Sequence, residues 1–367
     1  MKEGVIVLMS IYFFGLLLVL GIGMWKQKQQ QKRYLRIRPK LSLDEISVVI
    51  PFRNESKRIQ RLIESLNSSN KLPAELIFID DHSEDNTCEL ILQSLQPDSQ
   101  IIQMEVGIQG KKRALQQAIQ RAKGKYILTL DADVFFSKDY FSNLELLSEA
   151  ELYLLPAVLK AEKPWQHLLE IDLLLINAIN AGLSGLVRPI IASGANMLFK
   201  KESYLTYHRI ESHIQVPSGD DIYLLRDFRT SRLTIHLMAD RQFQVNTETP
   251  QSLAEFLHQR IRWIAKTSDV KDHLSTFLAT FQSILTLSII AIMLYAIAFT
   301  KWKLFGFVYC SKTIVDMLLF GPFFMHFKRP IAWLLIPFYQ FLYPFYNLLI
   351  ILILPFFNPK WKGRSIN

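Results

Sequence analysis

The chain has 367 residues, 50% of which are hydrophobic, and a formal net charge of +9. This length leaves room for a folded domain and a further region, and the two cysteines exclude a disulfide framework or a metal–thiolate cluster. The positive charge does not indicate a nucleic-acid partner, because no stripe of alternating basic and aromatic residues runs through the central part.

The first predicted element is a transmembrane helix in residues 1–25. Residues 4–25 contain no charged side chain and are long enough to cross a bilayer. No small-residue cleavage pattern follows them, which argues against a signal peptide. Residues 26–44 form a basic juxtamembrane linker that suits anionic lipid headgroups. The positive-inside rule places this linker and the following domain in the cytoplasm, which predicts a multi-pass protein of the cytoplasmic (inner or plasma) membrane.

Residues 45–270 have the composition of a soluble domain, and strand-like runs alternate with helical patterns in their first half. The predicted strands are "ISVVIPF", "ELIFIDD", "QIIQMEV" and "KYILTLDAD". Helical patterns lie between them at 57–66, 87–95 and "KKRALQQAIQRAKG". This alternation predicts an α/β domain with a Rossmann-like, mostly parallel sheet.

Acidic residues follow two of the predicted strands. Asp80 and Asp81 end the second strand, and Asp131 and Asp133 end the fourth. Ligands of such sheets bind outside the carboxyl ends of the strands, so these carboxylates converge and repel one another. A divalent cation relieves the repulsion, and Mg²⁺ combines one or two carboxylates with substrate phosphates. The pattern therefore predicts Mg²⁺ or Mn²⁺ holding a diphosphate. The sequence contains neither G-x-G-x-x-G nor G-x-x-x-x-G-K-[ST], which argues against a dinucleotide site and against a P-loop.

The last part of the chain is apolar again. Residues 163–186 predict a helix that is too polar for a confident span and is expected in the domain core or at the interface. Apolar runs at 274–299, 304–327 and 331–357 predict about three transmembrane helices within 271–358, followed by a tail at 359–367. Prolines at 337, 344 and 355 leave open a re-entrant or interfacial piece, and with it the side of the C-terminus.

Seven short motifs occur in a fixed order: "VVIPFRNE", "IFIDDHSEDNT", "GKKRAL", "DAD", "SGANMLF", "GDD" and "QRIRW". A lone D-x-D is weak, but the ordered set is specific. Over roughly residues 45–265 it resembles the family 2 inverting glycosyltransferases, which have a GT-A fold. The closer likeness is to the membrane-bound branch with D, D-x-D, D and Q-x-x-R-W, which includes cellulose, chitin and hyaluronan synthases and ceramide glucosyltransferase.

The resemblance implies a GT-A catalytic domain that transfers a sugar with inversion. It implies a nucleotide-sugar donor, with UDP as the expected nucleotide, and a lipid-linked or short glycan acceptor. It implies Asp221 as the catalytic base, with Asp220 as a possible alternative, and Asp131 and Asp133 as metal ligands. The implied nucleotide-sugar residues are Pro51, Glu55, Asp80, Asp81, Lys111, Asp131, Gly194 and Arg262, and the implied acceptor or product residues are Gln259, Arg260 and Trp263.

Several of these residues also have plain structural explanations. Acids at strand ends and before helices are common in turns and caps. Lys111 could be a solvated charge, and its neighbours Lys112 and Arg113 leave the choice of lysine open. "QRIRW" could belong to a basic amphipathic helix on a membrane surface. Two positions depart from the family pattern, since Arg53 replaces an aromatic residue and His82 replaces a glycine.

Other functions remain open from the sequence. A processive polysaccharide synthase of the same family is the first alternative, although four predicted spans are few for a wide channel. A soluble-type sugar-phosphate nucleotidyltransferase would need no membrane helices. A non-catalytic membrane scaffold or a transporter is also possible, and a transporter would use the intramembrane charges Lys312 and Asp316. The expected partners are a nucleotide-sugar donor, a lipid or glycan acceptor and membrane lipids, and the oligomeric state is open.

Overall fold

The computed structural model describes residues 2–94, 99–213, 219–269, 272–356, 360–361 and 364–365. The chain forms two compact units that alternate along the sequence. The sheet unit contains Gln29–Lys160, Ile191–Glu248 and Pro359–Asn367, and the helical unit contains Met1–Lys28, Ala161–Ile190 and Thr249–Asn358.

The strands are β1 (Ile46–Phe52), β2 (Glu75–Asp80), β3 (Ser99–Gln103), β4 (Tyr126–Leu130), β5 (Val134–Phe135), β6 (Leu152–Leu154), β7 (Ala157–Lys160), β8 (Asn196–Lys200), β9 (Ile235–Leu237), β10 (Val245–Glu248), β11 (Lys360–Trp361) and β12 (Arg364–Ser365). The helices are α1 (Lys2–Leu16), α2 (Met24–Tyr34), α3 (Ile59–Asn67), α4 (Thr87–Ser94), α5 (Lys111–Arg121), α6 (Tyr140–Leu144), α7 (His167–Leu186), α8 (Lys201–Tyr207), α9 (Asp220–Thr230), α10 (Leu253–Asp269), α11 (His273–Phe299), α12 (Trp302–His326), α13 (Pro330–Leu334) and α14 (Ile336–Ile353).

A seven-stranded sheet in the order β3-β2-β1-β4-β8-β6-β9 forms the centre of the sheet unit. The β3-β2-β1-β4 half is parallel, and β8 pairs antiparallel with both β4 and β6. Every residue of β1, β2 and β4 is buried, as expected for strands with helices on both faces. On one face Ile50 shares a core cluster with Leu62 of α3, and on the other Val49 shares a cluster with Leu115 of α5. The predicted Rossmann-like, mostly parallel sheet is confirmed.

A three-stranded sheet, β5-β10-β7, lies beside the turn that carries Asp131 and Asp133. This turn joins β4 directly to β5, and Val134 of β5 pairs with Thr247 of β10. Because a strand begins one residue after Asp133, the backbone of the D-A-D segment is fixed at both ends.

In the part of the chain that the structure describes, five helical stretches are long and apolar enough to cross a membrane: Glu3–Tyr34, Pro164–Leu186, His273–Phe299, Trp302–His326 and Ile336–Ile353. The second was predicted in the core of the domain at 45–270 or at the interface, and the structure groups it, together with α10, in the helical unit. Glycines explain its position in part. A Cβ atom at Gly182 would lie 2.3 Å from the carbonyl oxygen of Val19, and one at Gly185 would lie 2.0 Å from that of Gly23. Only glycine permits the backbones of α7 and the π-helical segment Leu17–Gly23 to approach so closely.

Two other segments differ from the sequence prediction. The basic linker predicted at 26–44 is helical as far as Tyr34. The last apolar run divides at Leu335, between α13 and α14. Pro337 lies in the first turn of α14, where no amide donor is needed, and α14 continues through Pro344. Pro355 lies in the short 3₁₀ turn Leu354–Phe356.

Candidate active site

One lysine connects acidic residues from two elements of the sheet unit. Lys111 is the first residue of α5, and its Nζ lies 2.7 Å from Oδ1 of Asp131 and 3.5 Å from Oδ2 of Asp220. Burial alone would lower the pKa of Lys111, but the charges of Asp131 and Asp220 outweigh it and raise the pKa above its ordinary value. The ammonium group therefore stays charged and neutralises part of an acidic cluster at the end of β4.

Lys112 has a different environment, which resolves the choice among neighbouring basic residues. The residue is 5% exposed, and its Nζ donates to the carbonyl oxygen of His213 at 2.8 Å. Arg113 pairs with Glu211 at the surface, at 2.9 Å. Lys111 is thus the basic residue of "GKKRAL" that faces the acids.

Asp131 and Asp133 remain accessible, with side-chain exposures of 34% and 26%. Oδ2 of Asp133 lies 4.0 Å from Nη1 of Arg58, whose Nε lies 3.9 Å from Glu248. Such long, partly exposed ion pairs are weak and easily exchanged. Two accessible carboxylates separated by one residue are a donor set of hard oxygens, which fits Mg²⁺ or Mn²⁺. Arg58 and Glu248 were missed by sequence reasoning, because they are far apart in the chain and belong to no motif.

Asp221 and Gly194 meet beside this cluster. The amide of Gly194 donates to Oδ2 of Asp221 at 3.2 Å, and the amide of Ile222 donates to Oδ1 at 2.8 Å. A Cβ atom at Gly194 would lie 2.8 Å from Oδ2 of Asp220 and 3.3 Å from Nζ of Lys111, so a larger residue here would displace one of these two charged groups. The structure therefore brings five predicted site residues together: Lys111, Asp131, Gly194, Asp220 and Asp221.

Asp80 and Asp81 follow β2, but they have different environments. Oδ1 of Asp80 accepts the amide of Ser83 at 2.9 Å, and the residue is 2% exposed, so its contacts organise the turn. Oδ2 of Asp81 accepts the amide of Gly110 at 3.0 Å. Burial raises the pKa of Asp81, against the opposing effects of that amide and of Arg53. Gly110 precedes Lys111, so consecutive residues contact Asp81 and Asp131.

Two loops at the ends of β1 and β2 are joined by hydrogen bonds. The amide of Asn54 donates to Ser83, the amide of Glu84 donates to the side chain of Asn54, and the amide of Glu55 donates to Thr87. Of the predicted nucleotide residues, Pro51 lies in β1, where it pairs with Ile79 of β2. Glu55 lies in the loop that follows β1.

His82, which replaces the family glycine, has φ 55° in this region. It retains the left-handed backbone that a glycine would favour. Its Nε2 lies 2.9 Å from the carbonyl oxygen of Ile108.

The "QRIRW" residues Gln259, Arg260, Arg262 and Trp263 lie on α10 in the helical unit. Arg260 was predicted to contact the acceptor, but it is 2% exposed and its Nε lies 2.7 Å from Oδ2 of Asp172. The hydroxyl of Tyr339 donates to Oδ1 of Asp172 at 2.8 Å. The guanidinium carbon of Arg260 lies 4.4 Å from the ring centroid of Trp263. These contacts hold Arg260 within the helical unit, and its role toward the acceptor stays a prediction; Asp172 and Tyr339 are partners that sequence reasoning missed.

Comparison with known proteins agrees with this geometry. Residues 47–185 match the family model "Glycosyl transferase family 2". The chain is 35% identical over 97 residues to the undecaprenyl-phosphate 4-deoxy-4-formamido-L-arabinose transferase of Yersinia enterocolitica, covering 25% of this chain and 30% of that protein. It is 30% identical over 131 residues to a poly-beta-1,6-N-acetyl-D-glucosamine synthase of Staphylococcus epidermidis, covering 35% of this chain and 29% of that protein. The chain therefore spans about 30% of the length of these relatives.

A solved structure shares the fold across the chain. A mannosyltransferase from Pyrobaculum calidifontis, in complex with GDP-Man and Mn²⁺, superposes with a TM-score of 0.52 at 15% sequence identity, covering 99% of this chain and 100% of that chain. The predicted GT-A fold with accompanying apolar helices is confirmed.

Proposed function

We propose that the protein is a membrane-bound inverting glycosyltransferase, on the premise that residues 47–185 match the family model of glycosyl transferase family 2. It moves a sugar from a nucleotide-sugar donor to a lipid-linked or short glycan acceptor. The observation that carries the proposal is the pair of contacts from Lys111 to Asp131 and Asp220, at 2.7 and 3.5 Å. These contacts join the D-x-D turn to the start of α9, which also carries the proposed base.

Donor binding rests on the acidic turn and on Lys111. Asp131 and Asp133 would hold Mg²⁺ or Mn²⁺, which when bound neutralises charge on the diphosphate. The ammonium of Lys111 is already beside Asp131 and can pair with phosphate oxygens as the diphosphate leaves. Arg262 is proposed to add a guanidinium, whose planar pair of donors matches phosphate.

Asp221 is the better candidate for the base. Asp220 lies 3.5 Å from the Lys111 ammonium, so its carboxylate is already engaged by a cation. Asp221 is held beside Gly194 by the hydrogen bond at 3.2 Å. In the proposed reaction, Asp221 takes the proton of the acceptor hydroxyl, the hydroxyl oxygen bonds to the anomeric carbon, and the bond to the diphosphate oxygen breaks on the opposite face.

The helical unit supports a membrane-derived acceptor. Among the described residues, four of the five stretches long and apolar enough to cross a membrane lie entirely within it. One relative is named for undecaprenyl phosphate and another for a polysaccharide. A single transfer to a lipid-linked acceptor is the primary proposal, and a processive synthase is the alternative that a product-size assay distinguishes.

The proposal places the catalytic domain in the cytoplasm, because the basic residues at 26–40 follow the first span. A protease site inserted at Val106, which is 97% exposed, tests this orientation. The site is expected to resist external protease in intact cells and to be cut after lysis. Cleavage in intact cells would reverse the assigned orientation.

The activity test uses the full chain in membranes, a panel of nucleotide sugars, and Mg²⁺ or Mn²⁺, with nucleotide release as the readout. Asp221→Asn is expected to reduce transfer roughly a hundredfold or more while nucleotide diphosphate still binds, because Asn cannot accept the proton. Asp133→Ala is expected to weaken metal-dependent nucleotide binding as well. Asp220→Asn is the matched control. If it abolishes transfer while Asp221→Asn is active, the base is Asp220, and if neither slows transfer the mechanism is wrong.

A further inference from the structure

Each acid of the D-A-D turn has a basic side chain as a neighbour, but the two neighbours differ. Nζ of Lys111 lies 2.7 Å from Oδ1 of Asp131, and the lysine side chain is 19% exposed. Nη1 of Arg58 lies 4.0 Å from Oδ2 of Asp133, and the arginine side chain is 36% exposed. Coulomb attraction weakens with distance and with access to water, so Arg58 is the cation that a competing charge displaces more readily. The proposed reaction gives Arg58 no role.

The fold fixes the backbone of Arg58 beside the turn. The amides of Arg58 and Ile59 both donate to the carbonyl oxygen of Glu55, at 2.8 and 2.9 Å, and Ile59 is buried. Further along α3, the hydroxyl oxygen of Ser65 accepts the amide of Phe136 at 3.2 Å, directly after β5. The helix that begins next to Arg58 is therefore tied to the strand that leaves the D-A-D turn.

A second acid contacts the guanidinium of Arg58. Val134 of β5 pairs with Thr247 of β10 in an antiparallel ladder. The next residue outward is therefore Asp133 on one strand and Glu248 on the other, and like charges placed opposite each other repel. Oε2 of Glu248 lies 3.9 Å from Nε of Arg58, so the guanidinium lies between the two acids and offsets their repulsion. Glu248 also gives Arg58 a partner to keep when Asp133 binds another cation.

We propose that Arg58 is a counter-ion of Asp133 that competes with the divalent metal for this carboxylate. The guanidinium and a dication repel each other, so Arg58 lowers the affinity of the D-A-D turn for the metal. Arg58 thus sets the metal concentration at which the turn is filled, and it acts through Asp133 as a positioning residue. This inference rests on the proposed function, because it takes Asp133 as a metal ligand.

The test titrates the full chain in detergent with Mn²⁺ and measures the free Mn²⁺ by electron paramagnetic resonance. Arg58→Met removes the positive charge but keeps an unbranched side chain. It is expected to raise the affinity for Mn²⁺ roughly threefold or more, because the opposing charge is gone. This gain is expected to shrink at high salt, since salt screens partly exposed charges. Arg58→Lys keeps the charge and is expected to stay within about twofold of the native affinity.

Arg121→Met is the matched control, because it removes one positive charge at an exposed position at the end of α5. It is expected to leave the Mn²⁺ affinity unchanged. Arg58→Gln, a second neutral variant, takes the place of Arg58→Met if that variant fails to fold. The inference is overturned if the folded neutral variant binds Mn²⁺ no more tightly than the native protein. It is also overturned if Arg58→Lys shows the same gain, or if the gain persists unchanged at high salt.

A separate variant tests the metal role itself. Asp133→Ala removes a proposed ligand and is expected to abolish Mn²⁺ binding at the turn. If the native protein binds no Mn²⁺, or if Asp133→Ala binds it normally, the proposed metal site is wrong, whatever the Arg58 variants show.

Discussion

The ion pair between Asp172 and Arg260 offers a quantitative test of what holds the helical unit together. Both residues are buried, with 7% and 2% of their surface exposed, and Nε of Arg260 lies 2.7 Å from Oδ2 of Asp172. Asp172→Asn preserves an oxygen that can accept from Tyr339 but leaves the buried guanidinium without a counter-charge. Breaking a buried pair in this way costs about 3–5 kcal/mol. We therefore expect the free energy of unfolding to fall by that amount.

The measurement is urea unfolding in mild detergent, followed by tryptophan fluorescence, for the native protein and for a double-mutant cycle. Arg260→Gln and the combination with Asp172→Asn complete the cycle. Because the double variant leaves neither charge unpaired, it is expected to be less destabilised than the sum of the single variants by about 1–3 kcal/mol.

Arg113→Gln is the control for removing an exposed member of an ion pair. Nη1 of Arg113 lies 2.9 Å from Oε1 of Glu211, and the two side chains are 36% and 65% exposed. Water can replace these contacts, so the expected cost is below about 1 kcal/mol. If Asp172→Asn costs no more than Arg113→Gln, or if the cycle shows no coupling, then the buried pair does not stabilise α10.

Three further predictions concern packing, pH and metal. Gly185→Ala is expected to lower the melting temperature, since its Cβ would lie 2.0 Å from the carbonyl oxygen of Gly23. Gly306→Ala is expected not to, because no atom of the described residues lies within 4 Å of the added Cβ. Burial and Lys112 lower the pKa of His213 from 6.5 to about 3, and burial lowers that of His236 to about 4. Below pH 6.5 the unfolded chain therefore binds more protons than the folded protein, so the melting temperature is expected to fall from pH 7 to pH 5. The fall is expected to be less steep in His213→Gln, which lacks one of these groups. Excess chelator is expected to abolish nucleotide-sugar turnover, and full activity under those conditions would contradict the proposed metal role of the D-x-D acids.

The sheet could be predicted from sequence because its signals are local. Strands β1, β2 and β4 are buried at every residue, so each appears as a short continuous apolar run. Asp81 and Asp131 follow β2 and β4 directly, and parallel strands bring their carboxyl ends to one edge. The grouping of acids at this edge therefore followed from chain order and strand direction alone.

Contacts between distant segments could not be predicted in the same way. Lys111 and Lys112 are neighbours in one motif, but one faces Asp131 and the other His213, and the difference depends on how α5 rotates in its packed position. Asp172 and Arg260 are separated by many residues and belong to no shared motif. A polar residue in an apolar helix signals that a partner exists, but it does not identify that partner.

Lys312 and Asp316 show what the structure adds to such a signal. Their spacing on α12 predicted a pair, and Nζ of Lys312 lies 2.6 Å from Oδ2 of Asp316. The structure also supplies partners from α1 and α14, because Tyr12 donates to Asp316 at 2.6 Å and Lys312 donates to Gln340 at 2.6 Å. Gln340 also donates to Asp316, which closes the network. A carrier needs intramembrane charges that can exchange partners with its cargo, whereas these charges satisfy one another within a buried cluster that links three helices. The network is therefore better explained as a connection within the helical unit than as a transport pathway, which leaves the acidic edge of the sheet unit as the place where chemistry is to be sought.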